Sequence, residues 1–60
     1  MSLENLMEVM LDEMNEANGE MNKFVGGNKS AGTRARKSMQ SIKETAQNVR
    51  KHIQEIKNNS

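Results

Sequence analysis

The sequence contains no cysteine and no proline, and Phe24 is its only aromatic residue. Without cysteine there is no disulfide framework and no thiolate metal site. The scarcity of aromatic residues and the lack of proline disfavour β-sandwiches and barrels. No apolar run approaches the roughly 20 residues needed to cross a bilayer, and the start of the sequence lacks the features of a signal peptide. These absences lead us to expect a soluble, intracellular, all-α protein.

Charge is abundant and unevenly distributed. The chain has 60 residues, of which 9 are Lys or Arg and 8 are Asp or Glu. Six of the eight acids lie in residues 1–25, whereas eight of the nine bases lie in residues 26–60. Either the two halves neutralise each other, or the basic half is offered to a polyanion.

The first half of the chain is predicted to form one helix over residues 3–25. Ser2 is a suitable N-cap because its hydroxyl can accept a hydrogen bond from a first-turn amide. Asn18-Gly19 is a turn signal, but the apolar pattern continues through it, so we expect Gly19 to lie on the outer face of the helix. Apolar residues alternate at spacings of four and three, as in a coiled coil, at Leu3, Met7, Met10, Met14, Ala17, Met21 and Phe24.

A turn and a second helix follow. Gly26-Gly27 are expected to adopt the left-handed conformation that closes a helix, and residues 26–30 are predicted to form the turn. The second helix is predicted over residues 31–57, with Asn28, Ser30 or Thr33 as its cap. Its apolar residues repeat the same spacing, at Ala35, Met39, Ile42, Ala46, Val49, Ile53 and Ile56.

Together the two helices predict an antiparallel, coiled-coil-like hairpin, with residues 1–60 as a single helical-hairpin domain. Small residues then face large ones in half of the pairs, which allows close-packed layers. The predicted pairs are Met21 with Ala35, Ala17 with Met39, Met14 with Ile42, Met10 with Ala46, Met7 with Val49, and Leu3 with Ile53.

One hairpin of this size buries little apolar surface, and methionine and alanine contribute less than leucine or isoleucine would. Leu6, Val9 and Leu11 widen the apolar stripe, either as scattered surface residues or as an interface for another copy. We therefore expect a homodimer or tetramer that forms a bundle of at least four helices.

Candidate catalytic groups are scarce. There is no cysteine nucleophile, and the lone His52 is expected to flank the helix contact rather than to serve as a ligand or an acid-base group. The segment 26–30 echoes a phosphate-binding loop only faintly, because the full motif spacing and the preceding strand are missing. We expect no enzymatic activity, no cofactor, no metal site and no small-molecule substrate.

Basic residues are concentrated at the turn and along the second helix. Those at the turn are Lys29, Arg34, Arg36 and Lys37, and the nearest charge expected on the first helix is another base, Lys23. The amides at the start of the second helix add a preference for phosphate. Further along, Arg36, Lys43, Arg50 and Lys57 recur every seven residues. Such a row can follow the phosphates of a duplex without reading its sequence, or it can pair with acids on a neighbouring helix.

The segment Gly27-Asn28-Lys29-Ser30-Ala31-Gly32-Thr33-Arg34-Ala35-Arg36-Lys37 resembles the GNKxAxxRxRK/T motif of the small histone-like proteins of chlamydiae and of many Bacteroidetes-type bacteria. The similarity covers residues 26–57, and the first helix matches only in length. It implies a nucleoid-associated, linker-histone-like DNA-binding protein. The long Lys/Ala-rich tail of the chlamydial members is absent from this sequence. The positions that match the motif are Asn28, Lys29, Arg34, Arg36 and Lys37.

The sequence therefore predicts a small cytoplasmic, nucleoid-associated protein that binds double-stranded DNA without sequence specificity. The predicted contacts are Asn28, Lys29, Arg34, Arg36, Lys37 and Lys43. One alternative is a non-enzymatic coiled-coil assembly module with no affinity for nucleic acid. Another is a helix that lies on a membrane surface, but anionic lipids would repel the acidic first helix, so no membrane partner is expected.

Overall fold

The computed structural model describes residues 2–59, which form two helices, α1 (Leu3–Val25) and α2 (Lys29–Asn58). They lie antiparallel as a hairpin about 50 Å long, with short axes of 15 and 13 Å. The hairpin prediction is confirmed, and α1 has its predicted bounds, with Gly19 inside it. The second helix starts two residues earlier than predicted and ends one residue later, which shortens the turn to Gly26–Asn28.

Capping explains where α1 begins and ends. The Ser2 hydroxyl accepts a hydrogen bond from the Asn5 amide at 3.2 Å, so Ser2 is the predicted N-cap. At the other end, the Asn28 amide donates to the Lys23 carbonyl and the Gly27 amide donates to the Phe24 carbonyl, both at 3.0 Å. These two bonds are those of a Schellman motif.

The turn uses one left-handed glycine, whereas two were predicted. Gly27 has φ +111°, but Gly26 has φ −75° and is still helical. The next residue, Asn28, is the N-cap of α2, because its side-chain oxygen accepts from the Ala31 amide at 3.3 Å. Asn28 thus closes one helix with its backbone and opens the next with its side chain, which is why a three-residue connection suffices.

Three contacts define the register of the hairpin. The ring of Phe24 lies against Gly32, which continues the predicted series beyond Met21 and Ala35. Further from the turn, Glu20 bonds to Arg34 and Glu13 bonds to Thr45, as described below. These contacts agree with the predicted antiparallel register.

The predicted core is only half right, because each helix is rotated relative to the prediction. Ala17 and Ala35 are buried as expected, but Met7, Met14 and Met21 are 45%, 51% and 46% exposed. Other predicted core residues that are exposed are Phe24, Met39, Ile53 and Ile56. Residues seven apart along a helix lie in one column on its surface. The places that these side chains were expected to fill are taken by residues from the neighbouring columns of each helix.

The substitutes are smaller or more polar. Leu6, which was interpreted as surface or a second interface, is buried against α2, and Ala31 and Thr45 are buried as well. Glu13, Glu20, Ser38 and His52 are partly buried in the same contact zone. Because alanine, serine and threonine have short side chains, this choice of columns lets the helices pack closely while Met7, Met14, Met21 and Met39 remain exposed.

The rotation gives the hairpin two unlike sides. We call one the polar side; its groove is lined by Glu13, Glu16, Glu20, Arg34, Lys37, Ser38 and Ser41. We call the other the apolar side; it carries the exposed residues Met7, Leu11, Met14, Met21, Phe24, Val25, Met39, Ile53 and Ile56. Neither described helix contains a segment apolar and long enough to cross a membrane.

Candidate nucleic-acid interface

The outer surface of α2, which faces away from α1, is flanked by bases on both edges. The edge next to the apolar side carries a row that we call the basic row, with one residue on every second turn: Lys29, Arg36, Lys43, Arg50 and Lys57. Lys29 and Arg36 also border an apolar pocket of about 500 Å³ that contains Met21, Phe24 and Met39. Because α2 starts at Lys29, the row is one member longer than the sequence indicated.

Between the two edges lies a neutral polar strip. Its members recur every seven residues and are all exposed: Thr33, Gln40, Gln47 and Gln54. On the far edge, Lys37 and Lys51 are exposed bases separated by Glu44. This surface therefore combines two lines of cations with hydrogen-bonding side chains and has no exposed large apolar residue at its centre.

Most of this surface is not neutralised within the hairpin. Among the described residues 2–59, no carboxylate forms an ion pair with Lys29, Arg36, Lys43 or Arg50. Three acids of α1, Glu13, Glu16 and Glu20, instead line the groove of the polar side. The proposal that α1 neutralises the basic half of its own chain therefore fails for these four basic residues.

Arg34 is the exception among the predicted contacts. Its Nε donates to Glu20 Oε2 at 2.7 Å, and Lys23 Nζ lies 3.7 Å from Glu20 Oε1. The expectation that the nearest α1 charge would be a base overlooked Glu20, which reaches across the helix contact and is 17% exposed. The hydrogen bond from Arg34 lowers the pKa of Glu20 below its ordinary value, partial burial opposes this effect, and the charges of Arg34 and Lys23 reinforce it.

A second polar contact joins the helices on the same side. The Thr45 hydroxyl, which is buried, donates to Glu13 Oε1 at 2.6 Å. Glu13 and Glu20 are seven residues apart, so one column of α1 supplies both acceptors. The sequence signal for this arrangement is that Glu13 and Glu20 follow Leu6 at intervals of seven residues and therefore share its column.

The predicted DNA contacts thus fall into three groups. Lys29, Arg36 and Lys43 lie in the basic row, and Lys37 lies at the edge of the polar groove with the paired Arg34. Asn28 is occupied by capping, since its side-chain oxygen also accepts from the Ser30 hydroxyl at 2.8 Å. The structure does not bring all six residues onto one face.

Other chemistry finds little support in the described residues. His52 is partly buried, with Nδ1 3.9 Å from Glu55 Oε2. Within residues 2–59 no three His, Asp or Glu side chains are grouped as a metal site.

Comparison with known proteins identifies a family. No curated protein and no solved structure matches the chain. A protein-family model described as histone H1-like protein Hc1 matches residues 4–59, which include both helices and the turn between them. The chain therefore belongs to the histone H1-like Hc1 family.

Proposed function

We propose that this protein is a small histone-like, nucleoid-associated protein of the cytoplasm that binds double-stranded DNA without sequence specificity. The contacts are made by the tip of the hairpin and the first half of α2, through Asn28, Lys29, Arg34, Arg36, Lys37 and Lys43. Family membership supports a structural DNA-binding role over catalysis. Self-association, as a dimer or tetramer, would place several such surfaces on one particle and raise the avidity of weak contacts.

The observation that carries this proposal is that four members of the basic row, Lys29, Arg36, Lys43 and Arg50, have no ion-pair partner among residues 2–59. From Lys29 to Arg50 it extends about 32 Å along the helix axis. Because successive phosphates of one DNA strand lie about 3.4 Å apart along the duplex axis, the row can follow roughly one turn of the duplex. The neutral strip beside it offers amide and hydroxyl groups for further contacts to phosphate and sugar.

The charge pattern also indicates what kind of binding to expect. Contacts between Lys or Arg and phosphate release counterions, so affinity falls steeply with salt and does not depend on base sequence. The single aromatic residue, Phe24, packs at the turn and offers no series of stacking platforms, so single-stranded nucleic acid is disfavoured.

Electrophoretic mobility shift across a salt series tests the proposal. The triple substitution Arg34→Ala, Arg36→Ala and Lys37→Ala should weaken duplex binding and reduce the slope of log affinity against log salt by roughly 0.9 for each phosphate that the protein no longer neutralises. A matched control changes the exposed Asn5, Asn15 and Asn22 of α1 to Asp, which lowers the net charge equally and leaves α2 intact. Absence of duplex binding at low salt, or equal weakening by the control, would contradict the proposed site.

The exposed apolar side favours a second candidate, an assembly module with no affinity for nucleic acid. The nine large apolar residues of the apolar side favour burial in an interface whether or not DNA is bound. This candidate predicts self-association together with no mobility shift at any salt concentration, so the same experiment separates the two functions.

A further inference from the structure

The apolar side of the hairpin is a continuous surface without a partner in the chain. Nine of the ten exposed large apolar residues lie on it, and only Val9 lies on the polar side. A monomer rarely leaves an apolar patch of this kind open unless it is an interaction site.

The area of this surface matches that of a dimer interface. The hairpin exposes 4821 Å², whereas a compact monomer of 6.8 kDa exposes roughly 4,000 Å². The excess is close to the ~800 Å² that each partner contributes to a standard interface. A side 50 Å long and 15 Å wide offers about the same area, roughly 750 Å².

Charge decides how a second copy must lie on it. The basic row borders the apolar side along α2. If two hairpins pack with their turns at opposite ends, α2 lies over α2 and the two rows face each other, which sets like charges together along the whole interface.

The opposite orientation removes this conflict. With both turns at the same end, each α2 lies over the α1 of the other copy, and the basic row meets the column that contains Glu4, Leu11, Asn18 and Val25. In the register of the hairpin, Arg50 then comes level with the stretch between Glu4 and Glu8. Bases and acids meet at the end far from the turns, whereas Lys29 and Arg36 meet only neutral side chains and keep their charge for a ligand.

We propose that two copies of this chain pack their apolar sides together as a four-helix bundle with a two-fold axis parallel to the helices and both turns at one end. This deepens the self-association that is part of the proposed function, and it does not require DNA binding. The outer surface of each α2 remains open, so the dimer presents two basic surfaces. The N-termini of the two α2 helices lie at the same end of the bundle.

Light scattering with two matched substitutions tests the interface. Met14→Gln places a polar group at the centre of the apolar side and should raise the dimer dissociation constant at least about tenfold, since both copies lose a buried methionine. Val9→Gln makes a comparable change on the polar side and should leave the dissociation constant within about twofold. A wild-type chain that is monomeric at all concentrations, or equal effects of the two substitutions, would overturn the proposal.

Disulfide trapping tests the orientation in a background that has no cysteine. Two single-cysteine proteins are mixed, one with a size tag, so that only bonds between copies produce the mixed species. With the turns at one end, Met21→Cys should form a mixed disulfide with Met39→Cys several-fold faster than with Met7→Cys. The reverse preference would show that the turns lie at opposite ends, and no mixed species with either partner would overturn the interface as well.

These results are independent of the DNA experiment. If the protein shifts duplex DNA but stays monomeric, the proposed dimer is contradicted and the proposed function stands. A dimer with the expected disulfide and no mobility shift would do the opposite.

Discussion

Glu20 is the residue at which the two charged halves of the chain meet. It holds Arg34 by a 2.7 Å hydrogen bond and lies between that guanidinium and Lys23. Since a carboxylate and a phosphate compete for the same donors, Glu20 occupies one of the predicted DNA contacts in the free protein. The proposed DNA surface is therefore smaller at rest than its sequence suggests.

The substitution Glu20→Gln should release Arg34 and strengthen duplex binding several-fold at low salt. If the freed guanidinium reaches a phosphate, the salt dependence of log affinity should steepen by about 0.9. Glu16→Gln is the matched control, because this substitution removes the same charge. Glu16 lines the same groove and has no ion-pair partner among residues 2–59. Equal effects of the two substitutions, measured by mobility shift across a salt series, would mean that only net charge matters.

Glu20 should also make the stability of the hairpin depend on pH. The hydrogen bond from Arg34 lowers the pKa of Glu20 in the folded chain, so this carboxylate stabilises the fold at pH values above its unfolded pKa of about 4.3. The contribution is lost as the pH falls through the lowered folded value. We expect wild type to melt at a higher temperature than Glu20→Gln at pH 7 and the two to converge near pH 3, as followed by circular dichroism. A difference that persists at pH 3 would assign the effect to packing.

The sequence predicted that Arg36 and Lys43 share one row on the second helix, and it missed the acid, Glu20, that bonds to Arg34. A recurrence every seven residues places bases in one row on any regular helix, so Arg36 and Lys43 needed no tertiary information. Whether Glu20 faces solvent or reaches Arg34 depends on the rotation of α1 about its own axis. A rotation of α1 by one column changes whether Glu20 faces solvent or Arg34. The local sequence does not determine this rotation.

At the scale of the elements, three of the four glycines differ in backbone conformation or surroundings. Gly27 has φ +111°, which side-chain-bearing residues rarely adopt, whereas Gly26 is helical and Gly19 lies in open space within α1. Only Gly27 is required by the backbone conformation of the turn.

Alanine substitutions should separate these roles in thermal unfolding. Gly27→Ala should cost about 1–2 kcal/mol, because a Cβ is strained at positive φ. Gly19→Ala should stabilise the hairpin by up to about 1 kcal/mol through better helix propensity, and Gly26→Ala should change little. A Gly27→Ala protein as stable as wild type would contradict the left-handed turn.

The two helices and their antiparallel register could be predicted because apolar residues alternate at spacings of three and four. That apolar pattern is consistent with two different rotations of each helix about its own axis. Leu6, Met10 and Met14 lie in three adjacent columns, so the apolar pattern near the start of α1 did not specify which pair of columns faces α2. The structure selects the columns in which Ala31 and Thr45 allow close approach and in which Glu13 and Glu20 find donors.

For the whole molecule, the displaced methionines bear on stability as well as on shape. The hairpin core consists of Leu6, three alanines and Thr45, which is little buried surface for a chain of 60 residues. Most of the apolar side chains that could stabilise it lie on the apolar side, where they contribute only when covered. Folding and association should therefore be coupled.

Coupling of this kind has a direct thermodynamic consequence. If only folded chains associate, a higher protein concentration stabilises the folded state by mass action. The melting temperature should therefore rise with protein concentration. We expect this rise in circular dichroism melts over a hundredfold range of concentration. We also expect Met14→Gln to melt lower than wild type at high concentration and to show a weaker rise, whereas Val9→Gln should follow wild type. A melting temperature that does not depend on concentration would mean that the hairpin reaches its stability alone, and the exposed methionines would then need another explanation.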